Sequence, residues 1–316
     1  MSKHLLLIIA IFIMPFSISA QYKWDVGGGF GPTQFFGSLG GGSGHGNEFL
    51  KDINLGSTRF NFDGFVRRKL SPTLSLQADF TWSRLSGDDK YATDPVRYLR
   101  NLSFRNDVLS LDVTAHLILW DIKGLVQNLG YRLDFTTYAL AGVGGYHHNP
   151  KALYDGTWIK LENLHLNGTG YPLYGMDIPM GAGAYFTINR KNKIGIEFLW
   201  RKTFTKYMDD VGDSKYIDPK KFTGPDAAVA AALENRNLVS TDPTNPKVIS
   251  AIQELPYLAT NYQTGGLRGY SKADNWWFTA NVTYAHSIKG KSKFYKHRYR
   301  SRFRRRFKRR SIRAKF

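Results

Sequence analysis

The segment Trp276-Trp277-Phe278-Thr279-Ala280-Asn281-Val282-Thr283-Tyr284 alternates apolar side chains with small or polar ones. It is the last of about eight such segments, at 22–39, 59–70, 74–85, 104–120, 135–147, 178–189, 194–204 and 276–287. A period of two sends successive side chains to opposite faces of a strand. Strands that are greasy on one face and polar on the other, with aromatics at their ends, make the pattern of a transmembrane β-barrel. Beyond residue 20 no apolar run approaches the roughly 20 residues a membrane helix needs. A chain of this kind enters a bilayer only as a closed ring, because only helices and barrels satisfy every backbone polar group in lipid. The expected fold is therefore all-β: an eight-stranded antiparallel transmembrane barrel. A soluble β-sandwich is the competing fold.

The first twenty residues read as an export signal. Lys3 and His4 precede an apolar run over 5–16, and Ser17-Ile18-Ser19-Ala20 supplies a small residue at the cleavage point. Cleavage after Ala20 would leave Gln21 as the mature start. The chain has no cysteine, so it lacks a lipoprotein anchor, disulfides and thiolate metal ligands. The formal charge of +19 is concentrated at one end: residues 289–316 hold 15 Lys/Arg and no acidic residue. Without that arm and Lys3, 28 Lys/Arg face 25 acidic residues. A near-neutral body carries a basic tail.

Connection lengths set the expected orientation. Those at 71–73 and 190–193 are tight and that at 121–134 is moderate. Those after strands one, three, five and seven are long, the last running over 206–275. Outer-membrane barrels have short periplasmic turns and long external loops, which places both termini in the periplasm. The expected plan is a signal over 1–20, a barrel over 21–288 and a periplasmic tail over 289–316.

Alternation also assigns faces. Leu74, Leu76, Ala78, Phe80 and Trp82 oppose Ser75, Gln77, Asp79, Thr81 and Ser83, and Leu109, Leu111, Val113, Ala115 and Leu117 oppose Ser110, Asp112, Thr114 and His116. An Arg or Lys on the lipid face at mid-depth costs about 2–4 kcal/mol, so the charged set points inward. An eight-stranded ring has room inside only for its own side chains. Asp63, Arg67, Asp79, Asp112, His116, Glu197 and Arg201 are then expected as a mixed-sign luminal network that packs rather than conducts.

Other motifs carry less. His147-His148 with Asp209-Asp210 has no spacing that fixes a metal site, and Asp155, His165 and Asp209 lie on different loops without a diagnostic acid–base arrangement. No catalytic residue, metal or cofactor is expected. Gly27-Gly28-Gly29-Phe30-Gly31 lacks the strand-to-helix context of a nucleotide-binding turn and reads as small residues allowing bend or close packing. Gly40-Gly41-Gly42-Ser43-Gly44 reads as the start of a flexible loop. Asp226 after Pro225 is placed to cap an alanine-rich helix in the long loop, which is a lid, a plug or a docking surface. In the tail, Arg298, Arg300, Arg302, Arg304, Arg305, Arg306, Lys308, Arg309 and Arg310 interleave with Tyr299, Phe303 and Phe307. After export its anionic partners are acidic protein surfaces, peptidoglycan carboxylates or lipid phosphates rather than nucleic acid, and a solvated arm is the plain alternative.

Four stretches carry a family resemblance. They are Phe36-Gly37-Ser38-Leu39-Gly40-Gly41; Arg100-Asn101-Leu102-Ser103-Phe104-Arg105; Asn149-Pro150-Lys151-Ala152 with Gly156-Thr157-Trp158; and Phe204-Thr205-Lys206-Tyr207-Met208-Asp209-Asp210-Val211. In this order they resemble the Bacteroidetes outer-membrane family that includes PorG, the barrel component of the type IX secretion system, also known as DUF6089. The resemblance spans about 22–288 and leaves the tail outside. It implies an outer-membrane barrel without enzyme activity, set in outer-membrane lipid and associated with the periplasmic ring of the PorK lipoprotein and PorN. A small outer-membrane transport or ligand-binding barrel is the alternative.

Overall fold

The computed structural model describes residues 22–39, 54–128, 130–269 and 274–289. The expected export signal, the glycine-rich run from residue 40 and the basic arm beyond 289 lie outside them. Strands β1 (Tyr22–Phe36), β2 (Arg59–Lys69) and β3 (Leu74–Asp88) form a meander, and a short helix α1 (Pro95–Arg100) leads into β4 (Ser103–Asn128). Next come β5 (Tyr131–His147), a small hairpin of β6 (Pro150–Tyr154) and β7 (Thr157–Lys160), then β8 (Tyr174–Ile188) and β9 (Asn192–Thr203). Four helices follow, α2 (Ala227–Glu234), α3 (Leu238–Thr241), α4 (Pro246–Glu254) and α5 (Leu258–Asn261), before the closing strand β10 (Trp276–Lys289).

Every pairing is antiparallel, and β10 pairs β1 from Tyr22↔Lys289 to Phe36↔Trp276. The order β3-β2-β1-β10-β9-β8-β5-β4 with β4 returning to β3 closes eight strands into a ring. Closure removes the open edges that lipid would not tolerate. Along β3, Ser75, Gln77, Asp79, Thr81 and Ser83 are buried while Leu74, Leu76 and Phe80 are exposed. The exposed set continues around the ring through Phe62, Leu111, Val113, Ile196, Phe198 and Val282. Two outward cations bracket this belt: Arg68 lies over the Trp24 ring at 5.3 Å near one end, and Lys202 over Trp276 at 5.3 Å near the other. Amphipathic pairs of this kind belong at the two water–lipid boundaries, charge toward water and stem toward lipid.

Tyr22 and Lys289 share an end of the ring with the tight turns at 70–73 and 189–191. The helices and the β6–β7 hairpin occupy the opposite end. Three sequence expectations need correction. The link at 121–134 is strand, not loop: β4 and β5 continue as a ribbon to Asn128↔Tyr131, bulged between Ile118 and Trp120 and between Ile122 and Val126. Gly124 takes φ +68 in the second bulge, where its N–H donates to Asp134 Oδ1 at 2.6 Å. Because β3 stops at Leu74↔Leu117, the outer edge of 119–128 has no strand partner among the described residues. The second correction is the β6–β7 hairpin, joined to β4 through Arg105↔Lys151. It is too short to show as alternation. Third, α2 does begin after Asp226, but that side chain makes no capping bond. Asn245 does cap α4, accepting from Lys247 N at 3.0 Å, with Pro246 at the first helical position.

Candidate functional site

The lumen is built in layers around two arginines. Arg67, from β2, donates to Gln77 Oε1 at 2.5 Å, and Gln77 passes a hydrogen bond to Asp79 Oδ1 at 2.6 Å. The guanidinium lies 4.0 Å from Glu197 Oε2 and 5.3 Å from the Tyr138 ring centre, and Tyr138 donates to that same Glu197 oxygen at 2.5 Å. His116 stacks on Tyr138 with centroids 4.8 Å apart and contacts Thr114 Oγ1 at 3.1 Å. One layer away, Arg201 donates to Asp112 Oδ2 at 3.0 Å and to Thr81 Oγ1 at 3.2 Å, with Asp177 at 3.9 Å. Asp63, half-buried, accepts from Asn281 at 2.8 Å, and Asn281 accepts from Asn61 at 2.8 Å. Of the seven residues expected in the lumen, six are buried and Asp63 is half-buried, and they fall in three hydrogen-bonded groups rather than one network.

Small residues make the room. A Cβ on Gly144 would lie 2.2 Å from Asp112 Oδ1 and 2.6 Å from Asp177 Oδ1. Only glycine fits between those carboxylates. Asp177 was missed from the sequence because β8 begins at Tyr174, four residues before the expected start at 178. Carrying the alternation of Ile178 and Met180 backward would have placed Asp177 inside. Tyr138, Asn61 and Asn281 complete these groups as uncharged partners that a search for luminal charge passes over. Nearer the turns, Lys193 pairs with Asp25, which also accepts from Ser287 Oγ at 2.6 Å.

The other end of the ring is sealed by apolar packing. Phe35, Leu85, Phe104, Val108, Tyr146 and Trp277 converge, and Met208 and Val211 from the long loop close over them. Met208 and Trp277 are wholly buried. The long loop is therefore a lid whose first turn fills the mouth. Behind it, α4 and α5 pack Val248, Ala251 and Leu258 on Val96 and Leu99 of α1, while Ala230 and Leu233 of α2 pack on Ala152, Leu161 and Leu166.

The four stretches that carry the family resemblance meet at this cap. Asp209 Oδ2 accepts from Ser38 N at 2.9 Å and Leu39 N at 3.2 Å, and its Oδ1 accepts from Val211 N at 3.1 Å. Arg100 forks onto Asp89 at 2.7 and 2.9 Å while donating to Ser38 O at 2.6 Å and Arg268 O at 2.9 Å. Arg105 lies over the Trp158 ring at 4.0 Å. Asn149 N donates to Asn106 Oδ1 at 2.8 Å, and Asn106 Nδ2 to Met208 O at 2.8 Å. Asp210 accepts from Tyr171 OH at 2.8 Å and faces Arg268 at 3.5 Å. Burial pushes the Asp210 carboxyl up to about 6, against the pull of Arg268, and pushes Asp209 up as well. The Tyr171 phenol is also raised, by burial and then by Asp210.

His148 and Asp209-Asp210 do share this cap, but as packing. Burial lowers His148 to about 4, so the ring is neutral, with Nε2 donating to Pro172 O at 3.2 Å and the face stacked on Tyr171. Among the described residues no group of three His, Asp or Glu is arranged to hold a metal ion. Asp155 and His165 sit in positive-φ turns, at +46° and +48°, and join no acid–base arrangement with Asp209. The tail residues Arg298, Arg300, Arg302, Arg304, Arg305, Arg306, Lys308, Arg309 and Arg310 lie outside the described residues.

Eight strands closed on themselves, greasy outside and filled with paired charge inside, make this a β-barrel of the outer-membrane type. The chain belongs to the family described as "Domain of unknown function (DUF6089)", whose model matches residues 3–214. No curated protein matches it. Among solved structures it is similar to Ail, the attachment invasion locus protein of Yersinia pestis, at 9% identity over 85% of this chain and 100% of that one, with TM-score 0.34. A second Ail structure, in complex with the heparin analogue sucrose octasulfate, gives 9% identity, 84% and 99% coverage and TM-score 0.32. CarO2 of Acinetobacter baumannii gives 12% identity, 82% and 98% coverage and TM-score 0.26.

Proposed function

We propose that this chain is a non-enzymatic outer-membrane barrel that anchors or organises the periplasmic ring or translocon proteins of a type IX secretion system, with both termini in the periplasm. The observation that carries the reading is the division of labour between the two ends. Among the described residues the lumen is packed and its mouth capped, which supports an anchor over the small-transporter alternative. The turn end presents a projecting ribbon, with Trp120 and Leu125 exposed at 66% and 53%, at the same end of the barrel as the close of β10 but across the ring from it. Apolar side chains on a ribbon in water favour a protein partner. The secretion role itself comes from the resemblance to the PorG-containing family, with PorK- and PorN-like proteins as its partners.

The test is affinity capture of the tagged full-length chain from detergent-solubilised envelope, with a strain lacking residues 290–316 in parallel. The reading expects ring proteins in the first capture and loss of secretion on deletion of the gene. Capture without ring components, together with intact secretion, would remove it.

A further inference from the structure

Just beyond the Lys202–Trp276 boundary, on the cap side, an open groove of about 450 Å³ runs between the β5–β8 connection and the start of the long loop. Its floor is aromatic: Tyr171 and Tyr207 lie parallel, 5.3 Å apart with planes at 10°. Its walls include Tyr174 and Phe204, exposed at 75% and 60%. Exposed rings of this size in water, facing a cavity of ligand dimensions, are the mark of a binding site. We propose that the groove binds a neutral saccharide, seating the apolar C–H face of a sugar ring against Tyr174 and Tyr207, with Tyr171 backing Tyr207 from beneath.

The charges around the groove select that chemistry. Lys206 is engaged by Asp213 at 3.1 Å, and Asp274 stands on the rim, so among the described residues the lining offers no free cation to a phosphate or sulfate. A bare acyl chain would bury the Asp274 rim carboxylate against hydrocarbon with nothing to bond it. A sugar ring meets both demands, with C–H groups for aromatic faces and hydroxyls for the polar edge. Tyrosine suits such a face because it supplies rigid amphipathic area at low entropic cost. The groove opens beside Met176, itself 66% exposed, at the top of the lipid belt. A sugar could therefore arrive free or as a lipid headgroup. The headgroup source rests on the orientation proposed above, and the sugar chemistry does not.

The experiment uses the full-length protein carrying 3-fluorotyrosine, with Tyr174→Phe and Tyr207→Phe variants assigning the two signals. One arm titrates maltose into the protein in a sugar-free detergent, and the other compares phosphatidylglycerol nanodiscs with and without a galactosyl diacylglycerol. Saturable shifts of the Tyr174 and Tyr207 signals are expected. Shifts in both arms indicate recognition of the sugar alone, and shifts only in the second a lipid-borne ligand. Tyr207→Ala should weaken binding about tenfold, as should Tyr174→Ala, whose exposed ring can be lost without harm to the fold. Tyr91→Ala, on another part of the cap, should leave it unchanged. No saturable shift in either arm, or equal binding by both groove variants and the parent, overturns the proposal. Capture of periplasmic partners, at the opposite end, should be unaffected by these variants, so the two readings fail separately.

Discussion

At the scale of single residues, the lumen and the cap each depend on one buried ion. Arg201 is 2% exposed and is the counter-charge nearest both Asp112 and Asp177. Removing one partner from a buried pair leaves the other charge uncompensated, at a cost of about 3–5 kcal/mol. Arg201→Met should lower the unfolding midpoint in detergent accordingly, and adding Asp112→Asn should recover part of the loss. In the cap, Asp209→Ala strips acceptors from three close backbone donors at the junction of the first and last family stretches. Limited proteolysis should then cut within 206–275 while the ring stays protected, for a local loss of about 2–3 kcal/mol. Asp210 adds a pH dependence. Its folded pKa, raised to about 6 from 3.8, means the closed cap holds a proton that the open cap releases between those values. Stability of the closed cap therefore falls as pH rises through that window, by about 1 kcal/mol between pH 5 and 7.5, and Asp209 acts in the same direction. Amide exchange over 206–213 at the two pH values, corrected for intrinsic rates, checks the sign; greater protection at pH 7.5 would contradict it.

At the scale of elements, what could be read in advance follows from how periodicity arises. Where both faces of a strand meet contrasting media, as in β2, β3, β4 and β9, alternation placed strand and facing together, down to Gln77 and Arg201. Where that contrast ends, so did legibility. The ribbon at 121–134 is exposed on both faces, so its residues show no period of two and read as a loop. In the cap, α1 to α5 are at most nine residues long and owe their form to packing across the mouth. Sequence alone could not say which loop met which, although the four family stretches proved to be neighbours. For the ribbon the prediction concerns exchange. Alternate amides of 119–128 point to an unpaired edge and should exchange far faster than those of 109–117, which have partners on both sides. Equal protection in the isolated protein would mean that the edge is already covered.

At the scale of the whole molecule, a filled interior and a closed mouth predict electrical silence. Planar bilayers containing the protein should show no steady conductance, and Asp79→Asn or Glu197→Gln should not open one. The long loop leaves and re-enters the ring at adjacent strands, with Thr203 N donating to Asn275 O at 3.1 Å and Asn275 N to Thr205 O at 2.8 Å. Replacing 208–273 by a short turn should therefore keep heat-modifiable mobility on gels while exposing Trp277 to quenchers.

Those two hydrogen bonds have a consequence for descent. A segment whose ends are clasped to each other is an insertion in the geometric sense, free to lengthen, shrink or be exchanged between relatives without disturbing the cylinder beneath. Variation among kin should accordingly pool in the lid beyond Val211, while the wall changes only by swaps that keep its inner charges matched.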